Sequence, residues 1–451
     1  MVPTVAIAAL VSTLLVNALP CVQFDTAWNL YAFGGTSDVN LGQNTTWASP
    51  NPQTLTTTGR PPWTGNSSQC LLAQNNNAMY VLGADSSDLT KIYIYSFGSS
   101  SWSTQSTSGG PSNLGNSRSA SVLDHDTNVV FTLPSGSGQS LYQLDMSSVT
   151  TAASSGSLAW SAVENPSFST DGYAPTVAEA SNHIHYFGVP STPAGSADLF
   201  VVHYAFFQPT AQTYPTQNGG AAFPDTAGQA ISIPNAANNV PLQMVFIPND
   251  FSSSYVVTHW TDPGNYSTTS DAPFATSLIN TTQILPAPSS RDEQASYAAS
   301  DTALVQIDSA GNIYYMTSAI QADYDVASAP TWTKMGYTLA GTGGAIVSGG
   351  SNSSSASNST ASGSTSSTSS TSSSSTTSSV SSAVSSSSVA VAGGGAGVVS
   401  SSKSSATSSS SATAASATSS KAAARVTAAL MGGDLISLAL GFVALGAAMV
   451  L

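Results

Sequence analysis

Few side chains in this 451-residue sequence are equipped for chemistry. Five histidines are present: His125, His183, His185, His203 and His259. His183 and His185 sit two apart, so on a strand both face the same side of the sheet. Two such imidazoles can ligate zinc or copper, but no acidic or thiol partner lies near them, which favours an ordinary strand pair. Hydrolysis of a glycoside needs two carboxyl groups about 5–10 Å apart. The candidates are Asp124, Asp126, Asp292 and Glu293, and nothing in the sequence pairs them in space. In the runs Asp124-His125-Asp126 and Asp292-Glu293 they read as turn and loop residues. No G-x-S-x-G, P-loop, dinucleotide fingerprint or H-E-x-x-H occurs. The reading is therefore of no catalytic residue, no cofactor and no metal, and it leans against an enzyme.

Charge narrows the partners. The whole chain has 8 Lys+Arg against 22 Asp+Glu. Five of the basic residues (Arg60, Lys91, Arg118, Arg291, Lys334) and 21 of the acidic ones fall within 19–342, a balance of −16. No basic stripe exists to displace counterions, so a nucleic acid is excluded as a partner.

The two ends read as sorting signals. Residues 1–18 carry a 12-residue apolar run from Val5 to Val16. That is too short to span a bilayer, and with Val16 and Ala18 before Pro20 it suits a secretory signal peptide. It lacks an early Lys or Arg. At the other end, 434–451 close on an apolar tail with no basic residue after it. Before the tail come a spacer and small residues at Ser419, Ser420, Ala422, Ala423 and Ala424. Small residues, spacer and terminal apolar tail form the signal for a glycosylphosphatidylinositol (GPI) anchor, here 422–451, with Ser419, Ser420, Ala422 and Ala423 as attachment candidates. The expected address is the outer face of the plasma membrane or the cell wall. Between anchor and body, 343–421 is nearly all Ser, Thr, Ala, Gly and Val. It cannot bury enough apolar surface to offset chain entropy, and it reads as a disordered, O-glycosylated stalk.

Secretion gives two further readings. Cys21 and Cys70 are the only cysteines and are expected to pair in an oxidising compartment. N-x-S/T acceptors stand at Asn44, Asn66, Asn265 and Asn280 in the body and at Asn352 and Asn358 in the stalk. If glycosylated, each must face solvent.

The remaining 19–342 is a repeat. Six apolar runs line up: NLYAFGG (29–35), AMYVLG (78–83), NVVFTLP (128–134), HIHYFG (183–188), QMVFIP (243–248) and ALVQID (303–308). Taking Phe33, Leu82, Leu133, Phe187, Ile247 and Ile307 as equivalent, the steps are 49, 51, 54, 60 and 60 residues. A second strand-like run follows most of them: 91–97, 140–146, 199–207, 254–260 and 312–318. An aromatic among small hydroxylic residues comes next: Trp47, Trp102, Trp160, Tyr214, Tyr266 or Trp332. Weaker segments precede, such as 69–74, 118–124, 173–180 and 293–300. Four short strands per unit, repeated radially, describe an all-β propeller of six blades, with a seventh left open. A β-sandwich is the competing fold.

The chain resembles kelch-type propellers, including the central domain of galactose oxidase. The likeness rests on NLYAFGG with Gly34-Gly35, on Tyr93 and Tyr95 in a third strand, and on the Trp-Ser/Thr fourth strand, and it covers most of 25–340. It implies that the aromatics pack between blades. The segment KMGYTLAG (334–341) is then expected to complete the first blade, whose own first strand is weak (23–28). The resemblance also raises copper-radical chemistry, which needs a cysteine cross-linked to a tyrosine and two histidines. Both cysteines are committed elsewhere, so no copper site is carried over.

The layout is similar to that of fungal wall and membrane proteins. It implies a GPI-anchored surface glycoprotein displaying a non-catalytic interaction module toward cell-wall glycans or surface proteins. The alternatives are a lectin or a carbohydrate-active enzyme with its site at the propeller mouth.

Overall fold

A computed structural model describes residues 19–111, 114, 121–261 and 271–342. The signal segment, Arg118, Asn265, Tyr266, the stalk with Asn352 and Asn358, and the attachment candidates Ser419, Ser420, Ala422 and Ala423 lie outside the described residues.

The repeat becomes six antiparallel blades. Blade one holds β1 (Cys21–Phe24), β2 (Leu30–Phe33), β3 (Val39–Gly42) and β4 (Gln53–Thr54). Blade two holds β5 (Gln69–Ala73), β6 (Ala78–Leu82), β7 (Lys91–Ser96) and β8 (Ser101–Ser108). Blade three holds β9 (Ser121–Leu123), β10 (Val129–Thr132), β11 (Leu141–Asp145) and β12 (Leu158–Glu164). Blade four holds β13 (Thr176–Ala180), β14 (His183–Phe187), β15 (Ser196–Val201), β16 (Phe206–Phe207) and β17 (Gln212–Thr213). Blade five holds β18 (Gly228–Ile233), β19 (Gln243–Pro248), β20 (Ser254–Thr258) and β21 (Thr281–Leu285). Blade six holds β22 (Ser296–Ala299), β23 (Leu304–Ile307), β24 (Asn312–Met316) and β25 (Thr333–Thr338).

The first strands close a ring. β1 neighbours β5, β5 neighbours β9, β9 neighbours β13, β13 neighbours β18, β18 neighbours β22, and β22 returns to β1. A closed circle of four-stranded sheets is a six-bladed β-propeller. Blades two and three are also paired edge to edge: β8 and β12 run parallel, with Thr107 opposite Leu158 and Ser108 opposite Ala159.

The six apolar runs are the second strands, and their position explains their composition. Each is sandwiched between two neighbouring blades, so alternate side chains go to opposite seams and both must be apolar. On β6, Met79 and Val81 join the seam with blade one, while Ala78, Tyr80 and Leu82 join the seam with blade three. On β19, Met244 and Phe246 face blade four, and Val245 and Ile247 face blade six. Among the described residues the buried apolar side chains form six clusters, one per seam.

The repeated aromatics pack at these seams as expected. Trp47 meets Tyr315 of blade six at 5.3 Å between ring centroids, and Trp102 meets Phe33 of blade one at 5.8 Å. Among the described residues of this set, only Trp102 and Trp160 lie within strands, however. Trp47 follows a 3-10 turn, Tyr214 follows β17, and Trp332 precedes β25. The run 199–207 is also broken: a 3-10 turn at Val202–Tyr204 and a left-handed Ala205 fold it into the β15–β16 hairpin.

Ring closure differs from expectation. The segment 334–341 does not complete blade one, because its strand β25 pairs with β24 as the outer strand of blade six. Blade one builds all four strands from its own sequence. Closure is by packing: Thr36 N–H donates to Ala340 C=O at 2.7 Å, and Leu339 joins the cluster with Val22, Ala32 and Val305. Here the glycine pair acquires its reason. Gly34 takes φ +91, and a Cβ on Gly35 would stand 2.6 Å from Ala340 O. Only blade one abuts the C-terminal end of the ring, so only blade one needs both glycines. Next to this junction Cys21 is bonded to Cys70, fastening β1 to β5.

Candidate functional site

All six first strands wall a cavity on the ring axis. Gln23, Leu71, Val122, Ala178, Ile231 and Ala298 contribute one residue each from β1, β5, β9, β13, β18 and β22. The cavity is partly open to solvent. Its polar lining includes Gln74 and Asn75 in the β5–β6 turn, His125 and Asn128 in the β9–β10 turn, and Glu179 on β13.

A loop from blade five crosses this end of the axis. Residues 234–242 join β18 to β19, and their partners are on the opposite side of the ring. Gln74 Nε2 donates to Asn235 C=O at 2.7 Å, and Asn238 Nδ2 donates to Asn75 Oδ1 at 2.6 Å. His125 Nε2 lies 3.4 Å from Asn238 Oδ1. Asn75 Nδ2 also donates to His125 C=O at 2.9 Å, linking blades two and three.

Behind His125 two acids meet across the seam of blades three and four. Asp124 and Glu179 are 0% and 1% exposed, and the Asp124 carboxyl acts electrostatically on that of Glu179. Asp124 Oδ2 accepts from the N–H of Thr127 at 3.0 Å and from its hydroxyl. Glu179 Oε2 accepts from His125 N–H at 3.2 Å. Asp124 Oδ1 and Glu179 Oε1 are buried without a hydrogen-bond partner. Burial, reinforced by the Asp124 charge, holds the Glu179 carboxyl well above the ordinary carboxylate range.

A second buried cluster sits at the seam of blades four and five. His183 and His185 face the same side of β14, as their spacing requires. The third member is His259, just past β20, whose ring lies 4.7 Å from that of His183 and 4.8 Å from that of His185. His185 Nδ1 lies 3.0 Å from His183 C=O, which only accepts, so Nδ1 carries the proton and Nε2 is a lone pair. Tyr214 Oη stands 2.8 Å from that lone pair and 2.7 Å from His259 Nδ1. Every group is satisfied if Tyr214 donates to His185, accepts from His259 Nδ1–H, and the Thr261 hydroxyl donates to His259 Nε2 at 2.7 Å. Burial pushes both His185 and His259 well below the ordinary imidazole range, and each histidine's neighbouring imidazoles depress it further, as nearby cations would.

The copper centre raised by the galactose-oxidase likeness does not fit these residues. Cys21 and Cys70 are bonded to each other, so no thiol can cross-link a tyrosine. The lone pairs of His185 and His259 are already used. Among the described residues no group of three or more His, Cys, Asp or Glu is arranged to hold a metal ion.

The remaining candidates behave as turn residues. Asp292 accepts from the N–H groups of Gln294 and Ser309 at 2.8 and 2.6 Å, Asp126 and Glu293 are exposed, and His203 is exposed in the β15–β16 turn. Asp124 is a turn residue as read, but its burial against Glu179 was not legible. Among the sequons, Asn44 and Asn66 are exposed. Asn280 is half-buried, its Oδ1 accepting from Trp260 N–H at 3.0 Å.

No family model matches the chain, and no curated protein sequence does. Among solved structures it is similar to a chain of a nidogen/laminin complex, at 10% identity and a TM-score of 0.33, covering 54% of this chain and 76% of that one. Likeness at that level carries no argument; the ring of first strands does. The fold and site define a six-bladed β-propeller with a walled axial cavity, strapped at one end and flanked by two buried proton-bearing clusters.

Proposed function

We propose that this is a secreted, GPI-anchored glycoprotein that holds a kelch-type propeller on a glycosylated stalk, as a non-catalytic module that binds glycans or surface proteins through its axial cavity. The observation that carries the reading is the lining of that cavity. Gln74, Asn75 and His125 line it and are bonded to the loop across its mouth; released from that loop, their amide and imidazole groups would pair with hydroxyls as donors or acceptors. Asp124 and Glu179, the acids beside the cavity, are both buried at a blade seam. A glycosidase holds its carboxyls roughly 5–10 Å apart, leaving room for the sugar and water between them. The acidic balance of the chain further favours neutral ligands over anionic ones.

The test uses intact cells. Phosphatidylinositol-specific phospholipase C is expected to release the protein, and the released chain to bind defined neutral glycans on an array without cleaving them. Retention on the membrane removes the anchor from the account. Turnover of any glycoside removes the non-catalytic reading.

A further inference from the structure

We infer that residues 234–242 are a gate over the axial cavity, a strap that lifts to admit a ligand and is held shut by side-chain hydrogen bonds to the opposite wall. The inference rests on the cavity being the binding site and adds how that site is reached.

Three observations carry it. First, the strap is tethered, not packed. Its side-chain ties are Asn235 C=O to Gln74, Asn238 to Asn75 and Asn238 to His125 on the far wall, with Asn235 Nδ2 donating to Tyr324 Oη of blade six at 3.3 Å, while Ala236, Ala237, Asn238 and Asn239 are exposed. Polar ties at the surface open far more readily than buried apolar contact. Second, there is space on both flanks. Beside the axial cavity lies a second hollow, lined by Asn235, Ala236, Asp301 and Tyr324, on the side toward which the strap can swing. Third, the ends are stiff. Pro234 and Pro241 bracket the segment and fix φ at either side. Pro241 C=O is pinned by Ser181 N–H of blade four at 2.8 Å, so movement is confined to the polar stretch between. An ordinary connection between paired strands needs only a few residues; this one is long enough to reach the far wall.

The experiment needs no ligand. Ser232 on β18 lines the axial cavity, so a full-length Ser232→Cys variant reports access through its labelling by a small maleimide. Slow labelling is expected with the strap intact. Adding Asn75→Ala and Asn238→Ala, which break both Asn238 ties, is expected to raise the rate roughly tenfold with the thermal midpoint unchanged. Backbone hydrogen exchange of 236–239 on the chain without substitutions should be faster than that of β18 and β19. An unchanged labelling rate in the triple variant overturns the gate, as does labelling of the single Ser232→Cys variant as fast when folded as when unfolded in urea. Should glycans bind the wild type while the gate test fails, the cavity remains the site and only its entrance is wrong.

Discussion

The hydroxyl of Tyr214 stands 2.7 Å from Nδ1 of His259, joining blade four to blade five inside a seam that holds no solvent-exposed member of the pair. The contact is sound only while the imidazoles are neutral. With His185 and His259 both held below the ordinary value of 6.5, the unfolded chain takes up protons that the folded chain refuses. Their contribution is present above about pH 6.5 and is lost as the pH falls through the folded values. Urea midpoints are expected to drop steadily below pH 6.5, by about 1.4 kcal/mol per pH unit for each histidine that titrates only on unfolding. His259→Gln should flatten that acid limb.

Glu179 sets the opposite slope. Its carboxyl is raised above the ordinary 4.5, so its contribution is full below about pH 4.5 and is lost as the pH rises through the folded value. Glu179→Gln keeps a neutral side chain able to donate to Asp124. We expect it to match the wild type near pH 5 and to exceed it by about 1–2 kcal/mol at pH 8, read by urea unfolding. Together with the histidines this places the stability maximum near neutrality. A variant weaker than the wild type at pH 8 would show that the pair is ionised and held in some other way.

The bond between Cys21 and Cys70 spans a separation of 49 residues. Chain entropy assigns a loop of that size about 4 kcal/mol. The double Cys21→Ser, Cys70→Ser variant should lose about that much in chemical denaturation, and blade one should exchange its amides first.

Gly35→Ala is expected to cost about 2 kcal/mol or more, because its Cβ meets the Ala340 carbonyl oxygen and Leu339, the residues that close the ring. Gly98→Ala is the control, since a Cβ there meets nothing within 4 Å; its midpoint should move by less than about 0.5 kcal/mol.

Much of the fold was legible because a strand buried on both faces has to be apolar throughout. The six runs ending at Phe33, Leu82, Leu133, Phe187, Ile247 and Ile307 are all second strands, and their count is the blade count. First strands face the cavity and mix apolar with small or polar residues, as in β5 (QCLLA) and β18 (GQAISI), so β18 (Gly228–Ile233) was not picked out from the sequence. The closure was misassigned because KMGYTLAG looks equally good as an outer strand of either flanking blade; hydrogen bonding to β24 decides it. The site was mostly hidden. Glu179 and Asp124 are 55 residues apart, and His259 is 74 residues from His185; neither pairing follows from local pattern. One signal was available: the repeat step lengthens to 60 at blade five, which marks the insertion that becomes the strap but not what it touches.

Everything proposed for the axis requires that blades one and six meet. A Thr36→Cys, Ala340→Cys chain, secreted under oxidising conditions and mapped by peptide mass, tests that contact directly, since Thr36 N and Ala340 O lie 2.7 Å apart. A second disulfide between these positions, formed in the folded protein beside Cys21–Cys70, is the predicted result. Two free thiols in a chain that is otherwise folded would mean that the ring is open and that there is no axial cavity to bind anything.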